Sequence, residues 1–314
     1  MVRLVTEGIL LKMEKRGVIE HRACPLCSSK DVEQDRVCTD RLVSKEQFEI
    51  WQCNGCTFHF TQDAPDRDHI REYYKSEDYI SHALKGKGWI ARISHLVRKW
   101  ITLPRRRRWV ERLNKGKSKT LLDIGCGTGE WLALMKKHHW DVRGTEPDAD
   151  ARTHCTEELH LTVDDALEKI PSSSFDVITL WHVLEHMHSL HDSMEQIRRI
   201  LKPDGTCVIA VPNIESDTAK KYAEDWFAYE VPRHLYHFSM ETVEGLSKMH
   251  GFEISSCRTL PLDAYYICLM SDRWPVQGLW NAFCENFHAL REKKRSTSLV
   301  FVLKHVKSND TVSL

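Results

Sequence analysis

Short apolar runs alternate with amphipathic stretches in the C-terminal part of the chain. The run "TLLDI" (120–124) predicts a buried strand, and "EWLALMKKHH" (130–139) predicts a helix with Trp131 and Met135 on its apolar face. "DVRGTEP" (141–147) predicts a second strand that ends in an acid. Strand, glycine-containing turn, helix and strand form a βαβ unit, whose crossover is expected to be right-handed. The pattern therefore predicts an α/β domain that begins like a nucleotide-binding fold.

Two other patterns precede this domain. The stretches "RVCTDRL" and "KEQFEIWQC" alternate polar and apolar residues, which predicts a short β-hairpin. The spacing then becomes helical, and Pro104 is expected to separate one helix from the next. The apolar positions at helical spacing in the first helix are Trp89, Ile93, Leu96, Val97 and Trp100.

These patterns divide the chain into four predicted segments. They are an N-terminal arm (1–22), a cysteine-containing module (23–62), a basic helical connector (63–117) and the α/β domain (118–314). Within the α/β domain, residues 262–296 are rich in Trp, Tyr and Phe and interrupt the last pair of strands. We expect helices there that wall the substrate side.

Composition places the chain among globular, water-soluble proteins. Lys plus Arg and Asp plus Glu both number 45, so a protein coated in positive charge for nucleic acid is not expected. No apolar run approaches the roughly 20 residues of a membrane helix. The N-terminal apolar patch is interrupted by Glu7 and Lys12 and lacks a cleavage site for secretion. An odd number of cysteines, 11, then favours reduced thiols in the cytoplasm.

One region departs from this neutral balance. Residues 85–119 contain 13 Lys or Arg and one acid, Glu111. These helices either cover an edge of the next domain with their arginines in solvent, or form a surface for an anionic partner. Such a partner would be lipid head groups, or a polyphosphorylated or nucleic-acid substrate.

Four cysteines have the spacing of a metal site. "ACPLC" contains Cys24 and Cys27, and "WQCNGC" contains Cys53 and Cys56. Two Cys-x-x-Cys turns can complete a tetrahedral sulfur shell around one zinc ion. Such a closed site is structural, because it folds a segment too small for its own core. We therefore predict a zinc ribbon.

The turn after the first predicted strand is the most informative motif. It reads Gly125-x-Gly127-x-Gly129 with Asp123 before it, rather than the Gly-x-Gly-x-x-Gly of dinucleotide enzymes, and no Walker lysine follows. This stretch resembles the first motif of class I S-adenosylmethionine-dependent methyltransferases, often Asp-x-Gly-Cys-Gly-x-Gly. The resemblance implies a Rossmann-like sheet of strand order 3-2-1-4-5-7-6 flanked by helices, and methyl transfer that leaves S-adenosylhomocysteine as product.

The resemblance also implies which residues bind the cofactor. Close backbone approach at the glycines and the following helix N-terminus suit the methionine carboxylate. Asp123 is expected to hold the ammonium group, Glu146 the ribose hydroxyls, and Asp165 the adenine amino group. The full set of expected cofactor residues is Asp123, Gly125, Cys126, Gly127, Gly129, Glu146, Pro147, Asp165, Ala166, Trp181 and His182.

Two histidine-containing segments are candidates for activating a methyl acceptor. "HVLEH" (182–186) resembles the Glu-Met-Leu-Glu-His segment of ubiquinone-biosynthesis O-methyltransferases, with His182 in place of the first acid. This segment is expected to accept a proton, to bind a metal ion, or to shape the loop beside the methyl donor. "VPRHLYHFS" (231–239) resembles acceptor-side stretches of small-molecule and sugar methyltransferases. We rank His234 and His237 first as the base, and then His182.

Three functions remain open at this point. The first is methylation, on oxygen, of a small molecule or saccharide. The second is a zinc-ribbon rRNA methyltransferase, which the Cys-Pro-Leu-Cys opening resembles. The third is a binding protein with this fold and no turnover. The histidine-rich segments and the neutral net charge favour the first.

Overall fold

The computed structural model describes residues 17–74 and 96–306. Most of the predicted arm and residues 75–95 of the predicted connector lie outside this range. The strands, in chain order, are β1 (Val18–Ile19), β2 (Val32–Thr39), β3 (Gln47–Cys53), β4 (His59–Thr61), β5 (Ala64–Pro65), β6 (Thr120–Ile124), β7 (Asp141–Thr145), β8 (Thr162–Asp164), β9 (Phe175–Trp181), β10 (Leu201–Pro212), β11 (Tyr236–His237), β12 (Phe252–Thr259) and β13 (Ser298–His305).

The α-helices alternate with the later strands. They are α1 (Leu103–Leu113), α2 (Glu130–Lys137), α3 (Ala149–Glu157), α4 (Leu190–Ile200), α5 (Asp217–Tyr222), α6 (Met240–Met249), α7 (Pro261–Ser271) and α8 (Pro275–Ala289). Shorter 3₁₀ turns lie at Ile70–Tyr74, Leu167–Lys169, Leu184–His186, Ala223–Asp225, Phe227–Tyr229 and Lys293–Arg295.

A seven-stranded sheet forms the centre of the α/β domain. Its order is β8-β7-β6-β9-β10-β13-β12. The neighbouring strands from β8 to β10 pair in parallel, whereas β13 pairs antiparallel with both β10 and β12. Counted along the domain, this is the order 3-2-1-4-5-7-6, so the predicted fold is confirmed.

Alternate side chains of the central strands fill two cores. Leu122 and Ile178 pack on the side that contains α4, whereas Leu121 and Val177 pack on the side that contains α2. Both faces of β6 and β9 are therefore buried, as expected for parallel strands covered by helices. The carboxyl ends of these strands meet at one edge, where open α/β sheets bind ligands.

The N-terminal module is joined to this domain by a strand. The predicted hairpin is present as β2 and β3, and β4 extends it. The fourth strand of this small sheet is β11, which comes from the α/β domain and pairs antiparallel with β4. Phe58 packs against Tyr236 and Phe238 beneath the pairing. The two parts consequently share one hydrophobic core.

The connector differs from its prediction at Pro104. Residues Arg98–Thr102 form a π-helical turn that runs directly into α1, and Pro104 lies in the first turn of α1. The Leu103 N–H donates to the Arg98 carbonyl oxygen five residues earlier, and this wider turn leads the helix into Pro104, which has no N–H to donate. The predicted break is wrong.

Within the described residues, no helix combines the length and apolarity needed to cross a bilayer.

Candidate active site

The glycine loop lies at the carboxyl end of β6. Gly125, Gly127 and Gly129 have φ angles of 65°, 53° and 76°, which are left-handed values that favour glycine. A Cβ at Gly125 would lie 2.6 Å from Cγ2 of Val183, so a larger residue would force the loop apart from the segment after β9. The side chain of Cys126, within this loop, is buried in the core.

Asp123 is buried in β6, two residues before Gly125. The Thr179 hydroxyl donates a 2.6 Å hydrogen bond to its Oδ1. Burial raises the pKa of Asp123 to about 7, against the opposing effects of Thr179 and of the nearby Arg106 charge. A cationic ligand group beside this carboxyl would favour its ionised form.

Arg106 is a site residue that our sequence analysis missed. Its guanidinium carbon lies 4.1 Å from the ring centroid of Trp181, and its Nε has no hydrogen-bond partner among the described residues. Burial lowers its pKa, while the charges of Asp263 and Asp123 act in the opposite direction. The helical spacing of Arg106 from Leu103 and from the buried Val110 was the signal that this one arginine of the run points inward.

The acid at the end of β7 reaches the glycine loop. Glu146 accepts hydrogen bonds from the backbone N–H of Gly127 (2.9 Å) and of Asp148 (3.0 Å). Pro147 follows it at the exposed rim. The acid after β8 lies farther out, since Asp165 is exposed and pairs with Lys169 at 2.7 Å. Ala166 begins the next turn.

His182 is held between two carboxylates. Its Nε2 lies 2.9 Å from Oδ2 of Asp263 in α7, and its Nδ1 lies 3.4 Å from Oε1 of Glu185. Burial would lower its pKa, but the hydrogen bond with Asp263 and the charges of the two acids outweigh burial and raise the pKa to about 10. His182 is therefore a cation at neutral pH, a state in which it has no lone pair to accept a proton.

Three side chains converge behind His182. Ligand atoms of Glu185, His186 and His234 all lie within 4.8 Å of one another. His234 Nδ1 is 2.9 Å from the Ala228 carbonyl oxygen, and His186 Nδ1 is 3.0 Å from that of Arg233. A carbonyl oxygen only accepts, so each Nδ1 carries a hydrogen, and in a neutral imidazole the lone pair is then on Nε2.

The carboxylate of this cluster is unusual. Glu185 is fully buried, and neither of its oxygens has a hydrogen-bond partner among the described residues. Within the described part of the chain, the ion-pair partner of Glu185 is His182, at 3.4 Å. Burial, with the charges of His186 and His237, holds the pKa of His234 well below 6.5. His234 is consequently neutral at pH 7.

His237 lies at the junction with the N-terminal sheet. Its Nε2 is 3.1 Å from the Thr61 hydroxyl, and its ring packs edge-on against Tyr229. Burial, with the charges of His59 and Arg36, lowers its pKa to about 3. The structure thus brings His182 and His234 to one cluster and places His237 against β4.

A buried ion pair connects the hairpin turn to the loop that carries His234. Arg233 Nη2 lies 2.9 Å from Asp40 Oδ1, and both side chains have no exposed surface. Asp40 also accepts hydrogen bonds from the backbone N–H groups of Leu42 and Ser44. Burial raises the pKa of Asp40, but Arg233 and these N–H groups outweigh it and lower the pKa.

Replacing Asp40 with Asn should lower the free energy of unfolding by about 2 kcal/mol, because the buried Arg233 loses one of its carboxylate partners and keeps Glu230. Chemical denaturation measures this change, with Glu33→Gln on the exposed edge of β2 as the control. Because the native pKa of Asp40 is depressed, the contribution is present at neutral pH and disappears as the pH falls through that pKa. A denaturation midpoint unchanged in Asp40→Asn would contradict the ion pair.

The four cysteines of the N-terminal module form a compact cluster. The sulfur atoms of Cys24, Cys27, Cys53 and Cys56 lie within 4.8 Å of one another. Two of the sulfur–sulfur distances, Cys24 to Cys56 and Cys27 to Cys53, are 3.6 Å. The Leu26 N–H points at Cys24 Sγ from 3.4 Å, as in metal-binding knuckles. This donor set fits one tetrahedral zinc ion.

His191 contacts the first knuckle, although the helical spacing of the apolar Leu190, Met194 and Ile197 predicts that it faces solvent. Its Nε2 lies 3.1 Å from the carbonyl oxygens of both Pro25 and Leu26. Its Nδ1 lies 2.8 Å from Nε2 of His250. The expectation was wrong because helical periodicity describes one helix alone, whereas the knuckle docks on α4 from elsewhere in the chain.

The chain is similar in sequence to known methyltransferases. Residues 96–256 match a family model described as a methyltransferase domain. A ubiquinone biosynthesis O-methyltransferase of Glaesserella parasuis is 36% identical over 118 residues, which cover 33% of this chain and 48% of that protein. One from Pseudomonas paraeruginosa is 29% identical over 120 residues, with 35% and 51% covered. The chain thus spans about half the length of these curated relatives.

A solved structure shares the fold. Phosphoethanolamine N-methyltransferase 2 of Haemonchus contortus, in complex with phosphomonomethylethanolamine and S-adenosylhomocysteine, superposes with a TM-score of 0.50 at 17% identity. The superposition covers 79% of this chain and 63% of that chain.

Proposed function

The chain belongs to the methyltransferase domain family, and we propose that it transfers the methyl group of S-adenosylmethionine to a hydroxyl oxygen of a small-molecule or saccharide acceptor. That it is an S-adenosylmethionine-dependent methyltransferase follows from the family match. The oxygen acceptor rests mainly on one observation, the neutral His234 with a lone pair on Nε2 in the cluster after β9. The partial similarity to O-methyltransferases supports the same choice.

We place the cofactor across the carboxyl ends of β6 and β7. The backbone of the glycine loop and the N-terminus of α2 face its methionine carboxylate. Arg106 is a second, positively charged group for that carboxylate. Asp123 takes the ammonium group. Glu146 accepts hydrogen bonds from the ribose hydroxyls, and Asp165 is assigned to the adenine.

Substitution of Glu146 by Gln should weaken S-adenosylmethionine binding about 10- to 100-fold, because a charged acceptor of two ribose hydroxyls is lost. Calorimetry measures the dissociation constant directly. Asp150→Asn, a neighbouring acid on the exposed side of α3, is the matched control and should bind as the wild type does. Equal affinity of Glu146→Gln and wild type would remove Glu146 from the cofactor site.

The proposed reaction is an in-line displacement, for which the enzyme mainly aligns the acceptor and excludes water. A hydroxyl acceptor must also lose its proton. We assign this proton to His234 Nε2, since Nδ1 is fixed by the Ala228 carbonyl. His182 is assigned to positioning, because it is already protonated and bridges Glu185 to Asp263 in α7.

The convergence of Glu185, His186 and His234 favours a second way to activate the acceptor, a divalent cation. Two imidazoles with their Nδ1–H groups anchored on carbonyls, plus one carboxylate, are a competent ligand set. A cation bound there would lower the pKa of an acceptor hydroxyl. In that arrangement His234 is a ligand and not the base.

Cobalt titration distinguishes the two arrangements. If the cluster binds a cation, Co²⁺ added to zinc-loaded protein should give visible d–d bands without thiolate charge-transfer bands, and Glu185→Gln should abolish them. Asp192→Asn, an exposed acid on α4, is the control. No bands at millimolar Co²⁺ would leave His234 as the base.

The N-terminal module is proposed to hold one structural zinc ion through Cys24, Cys27, Cys53 and Cys56. All four positions of a tetrahedral site are then filled by protein, so a catalytic role for this ion is not proposed.

The rRNA methyltransferase alternative receives less support. It depends on the arginine run of the connector, and two members of that run are engaged within the protein. Arg106 points at Trp181, and Arg107 pairs with Glu111 at 2.7 Å.

A further inference from the structure

Helix α8 has the reverse of the usual surface-helix pattern. Its buried residues are Gly278, Asn281, Ala282, Glu285 and Ala289. Its large apolar residues instead face outward, and most of them are at least half exposed: Val276, Leu279, Trp280, Phe283 and Phe287, continued by Trp274 before the helix and Leu290 after it. They recur every three or four residues and so form one stripe, about 20 Å long.

Specific contacts on the buried side fix the rotation of the helix. A Cβ at Gly278 would lie 2.8 Å from the Cys268 carbonyl oxygen, so α8 packs backbone to backbone on α7. Asn281 Nδ2 donates to the Tyr222 hydroxyl and to Asp272. Glu285 accepts hydrogen bonds from backbone N–H groups of the core. Turning the stripe inward would break these buried contacts, so its exposure is a property of the fold.

Basic residues flank the stripe at both ends. The Arg273 guanidinium lies 5.8 Å from the Trp274 ring centroid, and that of Arg291 lies 5.3 Å from the Phe287 centroid. Lys293 and Lys294 follow. Between residues 273 and 294 the acids are Glu285, which is buried, and Glu292. The exposed surface thus combines aromatic rings with a net positive charge.

We propose that this stripe docks the enzyme on the surface of an anionic lipid bilayer. Aromatic and aliphatic side chains enter the boundary between head groups and acyl chains, while arginine and lysine contact lipid phosphates. The charge complementarity selects this partner over a second copy of the chain, because two such stripes would bring their cations together. The proposal does not depend on which acceptor is methylated.

Vesicle flotation tests this proposal with the full chain. Wild type should bind vesicles of phosphatidylcholine with phosphatidylglycerol more tightly than vesicles of phosphatidylcholine alone, and added salt should weaken binding. The double variant Trp280→Gln/Phe283→Gln should lose affinity by about tenfold or more. Arg273→Gln/Arg291→Gln should lose about as much, and only on the anionic vesicles. Met249→Gln, an equally exposed apolar residue on α6, is the control.

Unchanged S-adenosylmethionine affinity confirms that each variant is folded. Three results would overturn the proposal. The first is no vesicle binding by wild type, and the second is vesicle binding that neither double variant changes. The third is a wild-type dimer in light scattering that is monomeric in Trp280→Gln/Phe283→Gln, while vesicles are not bound. The last result would identify the stripe as an interface between two copies.

Discussion

Loss of zinc from the N-terminal module should unfold the small sheet and abolish methyl transfer. Binding of a structural zinc ion by four cysteines provides about 10 kcal/mol or more of folding free energy in isolated zinc modules. Cys53→Ser removes one of the four ligands, and the segment around it is too short to form its own core. We expect a thermal transition at least about 10 °C lower, and a loss of turnover of at least about 100-fold.

Turnover is lost because β4 pairs with β11, two residues after His234. The Thr61 hydroxyl donates to the His234 carbonyl oxygen at 2.7 Å, so the loop that carries the base is built on the module. The glycine loop packs in a different core, with α2. Cofactor affinity should therefore suffer less than turnover.

Cys284→Ser, a half-buried cysteine outside the cluster, is the control. Full activity and an unchanged melting temperature in Cys53→Ser would contradict the zinc module's role.

Replacement of His234 by Asn should lower kcat by about 100- to 10,000-fold, the range for removal of a general base. The Asn amide can still donate to the Ala228 carbonyl oxygen, but it has no counterpart of Nε2. Affinity for S-adenosylmethionine should be unchanged. His237→Asn is the comparison, since His237 faces Thr61; it should reduce stability more than kcat.

The pH profile gives a second measure of the same residue. A base must be neutral, and burial depresses the pKa of His234, so the active form persists below pH 6.5 and is lost only as the pH falls further. The acidic limb of kcat/KM should accordingly lie below 6.5. Unfolding followed at each pH separates this limb from acid denaturation. Wild-type kcat in His234→Asn would exclude His234 from proton transfer.

Much of the fold could be predicted from periodicity and a few motifs. The stretches at 120–124 and 141–145 are the adjacent strands β6 and β7, and the glycine spacing predicted the turn after the first. These features are local, because strand burial and left-handed turns restrict residue types within a few positions.

The site was less accessible to prediction because its contacts are long-range. Asp40 and Arg233 are 193 residues apart, and neither has a local signature of a buried partner. "HVLEH" indicated a cluster, but its third member, His234, comes from another segment, and the positive charge of His182 is balanced by Asp263 of α7. Arg106 was obscured by the neighbouring arginines, of which the helix turns only some inward.

Calorimetric titration of the zinc-loaded full chain with S-adenosylmethionine tests the central claim most directly. We predict saturable binding of one cofactor per chain, displaced by S-adenosylhomocysteine and weakened in Glu146→Gln. No heat of binding at high micromolar cofactor would contradict the assignment of the glycine loop and, with it, the proposed methyl transfer.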